Sequence, residues 1–178
     1  RNGLEVVFTS KLDDRYGAGG TFDTNDDGDQ NVAAPGNWGG IFVGHTSTAS
    51  IDHALITFGG GINRAGGSFT GFNAIEIHQA EARITNSVIE NNRSGTGGQA
   101  PPSRFGRGFN RSSAIFVRAS QPVIIDNIIR DNQGAAININ ANALNARLVD
   151  DYGRSIGNAE QFTQFGSNQG PLVRDNLL

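Results

Sequence analysis

The chain has 178 residues, a net charge of −3, 37% hydrophobic residues and 25 glycines, with neither cysteine nor methionine. A disulfide framework and thiol chemistry are therefore excluded, and so small a charge gives general nucleic-acid binding no support. Glycine at about twice its average usage, with a lean apolar share, suits a thin-cored, turn-rich β structure better than a helical or doubly wound domain. No stretch resembles a signal peptide, a lipidation site or a membrane span, so no membrane insertion is expected.

In chain order, Leu4 to Thr9 already reads as strand. Residues 11–37 form a first insertion containing Asp23-Thr24-Asn25-Asp26-Asp27-Gly28-Asp29. Asp23, Asn25, Asp27 and Asp29 alternate, with Gly28 where a tight calcium loop turns sharply. Oxygen ligands at that spacing wrap one hard cation, so structural calcium is expected. Ala34 stands where an EF-hand loop carries its bidentate Glu, so the loop needs a ligand from elsewhere, such as Asp13 or Asp14. Trp38 follows beside Gly39 and Gly40, as a lid over the core edge or a sugar-stacking platform. Gly40-Ile41-Phe42-Val43 and Ile51-Asp52-His53-Ala54-Leu55-Ile56 are apolar, β-branched runs of strand length. A second insertion spans residues 60–72. Asn73 to Asn92 and Ser113 to Asn132 are two copies of one pattern, separated by a third insertion at 93–111. That insertion carries Arg93, Arg104, Phe105, Arg107, Phe109 and Arg111, a mix able to bind an acidic polysaccharide or to pin a loop against a wall. Ala136-Ile137-Asn138-Ile139 begins a further copy, and Val173 to Leu178 ends it after an insertion at 143–170.

The copies align position by position. Ile41, Ile75, Ile115 and Ile137 occupy one place, and Ile51, Ile84, Ile124 and Val173 another. Ile115 and Ile137 lie 22 residues apart with no insertion between them, which sets the basic repeat. No single repeat buries its own apolar residues, so stacked repeats are expected to build interior ladders and parallel strand pairs about 4.8 Å apart. Asn86, Asp126 and Asp175, followed by Ser87, Asn127 and Asn176, suit the turns because such side chains tolerate left-handed backbone. The expected fold is an all-β solenoid, a parallel β-helix of about four to five coils with long loop insertions, in one domain over 1–178.

The chain resembles the right-handed parallel β-helix proteins of the pectate-lyase-like superfamily, and more narrowly the β-helix segments of large secreted or surface proteins of bacteria. The likeness is carried by Val7-Phe8-Thr9-Ser10, Pro35-Gly36-Asn37-Trp38-Gly39-Gly40-Ile41, Ile51-Asp52-His53-Ala54-Leu55-Ile56, Gly59-Gly60-Gly61 and the aligned copies. It implies a right-handed coil and an extracellular or cell-surface location. The superfamily hosts lyases, hydrolases, adhesins and inert stalks, so fold alone does not give activity. Its polysaccharide lyases use an Arg or Lys base beside carboxylate-bound calcium.

The wall charges are expected to be ordinary cross-strand partners: Glu76 with Arg118 facing outward on neighbouring coils, and Glu90 with Arg130 in one register. Asp52-His53 falls in the turn column, and His45 and His78 receive no role. No catalytic residues are assigned. The reading is a non-catalytic structural or adhesive segment, either part of a longer solenoid or a unit stacking end to end with neighbouring copies. The alternatives are a polysaccharide lyase or glycoside hydrolase, and a carbohydrate-binding module using Trp38, Phe105 and Phe109.

Overall fold

Runs in which every second residue is aliphatic form strands, because alternate side chains leave opposite faces of the backbone. A computed structural model describes residues 6–16, 22–28, 30–44, 47–65, 68–78, 80–95, 112–118, 120–140 and 170–178. Three four-stranded parallel sheets organise these residues. Sheet A contains β1 (Val6–Phe8), β4 (Ala54–Thr57), β9 (Val88–Glu90) and β12 (Ile128–Arg130). Sheet B contains β2 (Ile41–Val43), β7 (Ile75–His78), β10 (Ser113–Arg118) and β13 (Ala135–Asn140). Sheet C contains β3 (Thr48–Asp52), β8 (Glu81–Thr85), β11 (Val123–Ile125) and β14 (Leu172–Arg174). From β2 onward the chain visits B, C and A in rotation.

The expected ladders are present. Ile41 pairs with Ile75, Ile75 with Ile115, and Ile115 with Ile137 in sheet B. In sheet C, Ile51 pairs with Ile84, Ile84 with Ile124, and Ile124 with Val173. These columns meet Ile56, Ile89 and Ile129 of sheet A in one core. Each buried aliphatic contributes about 1.5–3 kcal/mol.

The corners are fixed by polar side chains. His53, Asn86, Asp126 and Asp175 stand in one column with φ of 53°, 50°, 58° and 56°. The next column is a buried hydrogen-bond ladder. Ser87 Oγ accepts from Ala54 N–H at 3.1 Å, Asn127 Oδ1 from Ser87 N–H at 3.0 Å, and Asn176 Oδ1 from Asn127 N–H at 3.0 Å. At another corner, Asn92 Oδ1 accepts from Gly59 N–H at 2.7 Å and Asn132 Oδ1 from Asn92 N–H at 3.0 Å. A turn amide facing the core would otherwise lack a partner.

Three insertions, 11–37, 60–72 and 93–111, leave the chain after the sheet A strands β1, β4 and β9. Their roots are bonded together: Gly60 N–H donates to Gly39 O at 3.0 Å and Arg93 N–H to Gly59 O at 2.8 Å. A Cβ on Gly61 would lie 2.0 Å from Gly36 O, so only glycine fits. The second insertion is more ordered than a loop. β5 (Ile62–Ala65) and β6 (Ser68–Gly71) form an antiparallel hairpin. The Gly66-Gly67 pair between those two runs is the sequence signal for it. Within the fourth insertion, only Gly170 lies among the described residues.

Candidate functional site

Two clusters concentrate chemistry: the acidic loop of the first insertion and a charged group on the outward face of sheet B. In the loop, Asp23 accepts from the backbone N–H of Asp27 at 3.1 Å and of Gly28 at 2.9 Å. The Gly28 N–H leads in holding the Asp23 carboxyl below the usual carboxylate range. Gly28 turns with φ 63°, as a tight loop requires. Asp27 Oδ2 accepts from Asn25 Nδ2 at 2.7 Å and from Asn31 Nδ2. Asn25 Oδ1 and Asp27 Oδ1 are shielded from solvent and have no hydrogen-bond partner. Asp29 lies outside the described residues.

A short 3-10 turn, Asp14–Tyr16, ties this loop to the wall. Asp14 Oδ1 accepts from Thr24 N–H at 3.1 Å. The guanidinium of Arg15 lies 5.4 Å from the Phe58 ring centroid, beside the end of β4. Asp13 is buried, and Arg15 donates to both of its oxygens, at 2.7 and 2.9 Å. Burial pushes the Asp13 carboxyl up, but hydrogen bonds from Arg15 and Thr9 prevail and hold it below the ordinary value.

On sheet B the structure corrects an expectation. Glu76 and Arg118 alternate with core residues, but each is only 1% exposed. The register sets Glu76 opposite Phe116 and Arg118 opposite His78, so Glu76 and Arg118 stand diagonally on one face of adjacent strands. Glu76 also approaches His78 on its own strand, Oε2 to Nε2 at 3.2 Å. Its Oε1 accepts from Asn73 N–H at 2.9 Å. The His78 ring lies between Phe42 at 5.1 Å and Phe116 at 5.6 Å. Sequence reasoning gave His78 no role, although Glu76 and His78, two apart on a strand, necessarily share a face. Simple alternation also implied solvent outside the wall, whereas the face of β7 and β10 is buried on both sides.

Other residues behave as ordinary partners. Glu90 and Arg130 are in register and 2.7 Å apart. Trp38 is half-buried against the core, and its indole N–H donates to Thr57 O at 2.8 Å. Asp52 accepts from Thr85 Oγ1 and from Asn86 Nδ2 at 2.8 Å, and lies 2.8 Å from His53 Nδ1. These three partners, Thr85 foremost, hold its carboxyl well below the usual carboxylate range. Arg104, Phe105, Arg107, Phe109 and Arg111, together with His45, lie outside the described residues.

Comparison with protein-family models, with curated proteins and with solved structures gave no match.

Proposed function

We propose that this chain is a calcium-stabilised, right-handed parallel β-helix segment of a secreted or cell-surface protein, with a structural or adhesive role. The observation that carries the reading is the continuous register of three parallel sheets visited in rotation. A wall whose turn amides and polar side chains serve their neighbours in the next repeat is suited to bearing load and presenting loops. Phe8, Ile139 and Val173 share columns with core residues on the outer strands and are exposed, so a further repeat or a second copy would bury them. The all-oxygen loop supports calcium, since two of its acceptors are buried without a donor.

Thermal unfolding with and without a calcium chelator, repeated across protein concentrations, tests both parts. A lower midpoint on chelation and a midpoint rising with concentration are expected. A midpoint indifferent to chelator refutes the calcium element, and one indifferent to concentration refutes stacking of copies.

A second reading, an enzyme acting on an acidic polysaccharide, is favoured by one observation: Glu76, His78 and Arg118 are buried charge-bearing groups brought together on one face. It requires the wall to open, because these groups have no access to a polymer as they stand. Depolymerisation abolished by Glu76→Gln would support it; no turnover of uronic-acid polymers by the intact chain would sink it.

A further inference from the structure

We infer that β13 is the edge through which two copies of this chain pair about a two-fold axis, an inference that rests on the association of copies proposed above. The two ends of the stack are unlike. Val43 and Ile139 are the outer members of one column in sheet B, yet Val43 is 5% exposed and Ile139 39%. Ile51 and Val173 are the outer members of one column in sheet C; Ile51 is half-buried against the core, whereas Val173 is 41% exposed. Trp38 packs on the core with Ile41 and Ile51, anchored by its indole N–H on Thr57 O, and so helps to cap the end built by β2 and β3. On that side β1 leaves Val6 and Phe8 exposed, but three residues are too short an edge to hold a partner sheet. Head-to-tail growth needs both ends open, whereas a single open end closes a two-fold pair.

At the open end, among the described residues, β13 pairs only with β10 and β14 only with β11, and sheet A is continued only by the Ile128–Leu177 bridge. An edge strand presents unpaired N–H and C=O groups, which proteins protect with charge, proline or brevity. β14 has that protection: it is three residues long, ends on Arg174 and is followed by Asp175. β13 has none of it. Its six residues, Ala135-Ala136-Ile137-Asn138-Ile139-Asn140, carry no charge and no proline, and it is the longest edge strand of the three parallel sheets. Set against itself it brings no like charges together.

The pattern of β13 also fixes the register. Ile137 and Ile139 continue the interior columns of Ile115 and Val117, while Asn138 continues the outward column of Phe116. A partner strand has to keep inward residues beside inward residues, because a slip of one reverses every side chain. Antiparallel pairing with Asn138 on the axis does so. Ile137 then lies opposite Ile139 of the second copy, and the two Asn138 amides face each other outside the wall, each with a donor and an acceptor to offer. An axis normal to sheet B keeps both cores on one side, so sheet B runs on through four strands of each copy. The same axis turns the exposed Leu177 of one copy toward the exposed Val173 of the other.

Sedimentation velocity of the intact chain from nanomolar to high micromolar concentration is expected to show monomer and dimer and nothing larger. Asn138→Lys sets two ammonium groups against each other at the axis and should weaken the dimer by about tenfold or more. Its melting midpoint, taken dilute enough for wild type to be monomeric, should match wild type, which assigns the loss to pairing rather than folding. The chain has no cysteine, so Asn138→Cys supplies one thiol per copy. Directly opposed residues of an antiparallel pair have Cα atoms about 4.5–5.5 Å apart, within disulfide reach, so oxidation by diamide should give a covalent dimer. Ser50→Cys, exposed on β3 at the capped end, should stay monomeric under the same oxidant. Assemblies that keep growing with concentration, or a dimer untouched by Asn138→Lys and not captured by Asn138→Cys, overturn the inference while copies still associate. A monomer at every concentration overturns the association of copies itself.

Discussion

Asn127→Ala tests what holds successive repeats together. The Asn127 side chain is 1% exposed. Its Oδ1 accepts from Ser87 N–H at 3.0 Å, and its Nδ2 donates to Ile84 O at 2.9 Å and to Asn176 Oδ1 at 2.9 Å. One amide therefore joins three consecutive repeats. Alanine leaves the buried Ser87 N–H orphaned, at about 1–3 kcal/mol, and forfeits two donations worth about 0.5–1.5 kcal/mol each, a total near about 4 kcal/mol. For a chain of this size, that is a fall in Tm of roughly 8–16 °C. Equilibrium urea unfolding reads the difference directly, with Asp126→Asn as control. Asp126 is exposed at φ 58°, where asparagine is equally tolerated, so the control should stay within about 0.5 kcal/mol of wild type. A loss below about 1 kcal/mol in Asn127→Ala would show that the ladder is dispensable and that the aliphatic columns alone hold the register.

Two further outcomes follow from the corners. Gly61→Ala places a methyl group 2.0 Å from Gly36 O, against backbone that cannot swing away, and should cost about 3 kcal/mol by thermal unfolding. Gly28→Ala meets nothing within 4 Å and should cost only the left-handed strain at φ 63°, about 1–2 kcal/mol; equal losses at the two sites would refute the packing argument. The Asp52 carboxyl should titrate well below the ordinary 3.8, and Thr85→Val should raise its midpoint, as followed by carboxyl NMR shifts. Because this pKa is depressed in the folded state, the stabilisation is present above the unfolded value and is lost as pH falls through the folded midpoint. A midpoint unchanged by Thr85→Val would contradict the hydrogen-bond cause.

The interior and the turns were legible in the sequence, because both depend on what one strand or one corner demands of its own residues. Ile75, Ile115 and Ile137 had to share a column once the copies were aligned. Asn86, Asp126 and Asp175 are residue types that accept positive φ, and they take it. The alternating oxygens from Asp23 to Asp27 were equally plain, since a loop of seven residues carries its own spacing. The Gly66-Gly67 hairpin signal was also present, overshadowed by the repeat on either side.

Tertiary structure decided what stands outside the wall and which neighbours claim each charge. Alternation says that Glu76 and Arg118 leave the core; it does not say whether water or protein lies beyond, and here both are buried. Their diagonal placement is set by a register that opposes Arg118 to His78, while a one-strand contact brings Glu76 to His78. Likewise, Asp13 and Asp14 are indistinguishable as adjacent letters. Only the folded turn commits Asp13 to Arg15 and leaves an oxygen of Asp14 beside the acidic loop. The physical reason is range: pattern and propensity act between near neighbours along the chain, whereas burial and charge pairing depend on segments the fold brings from far away.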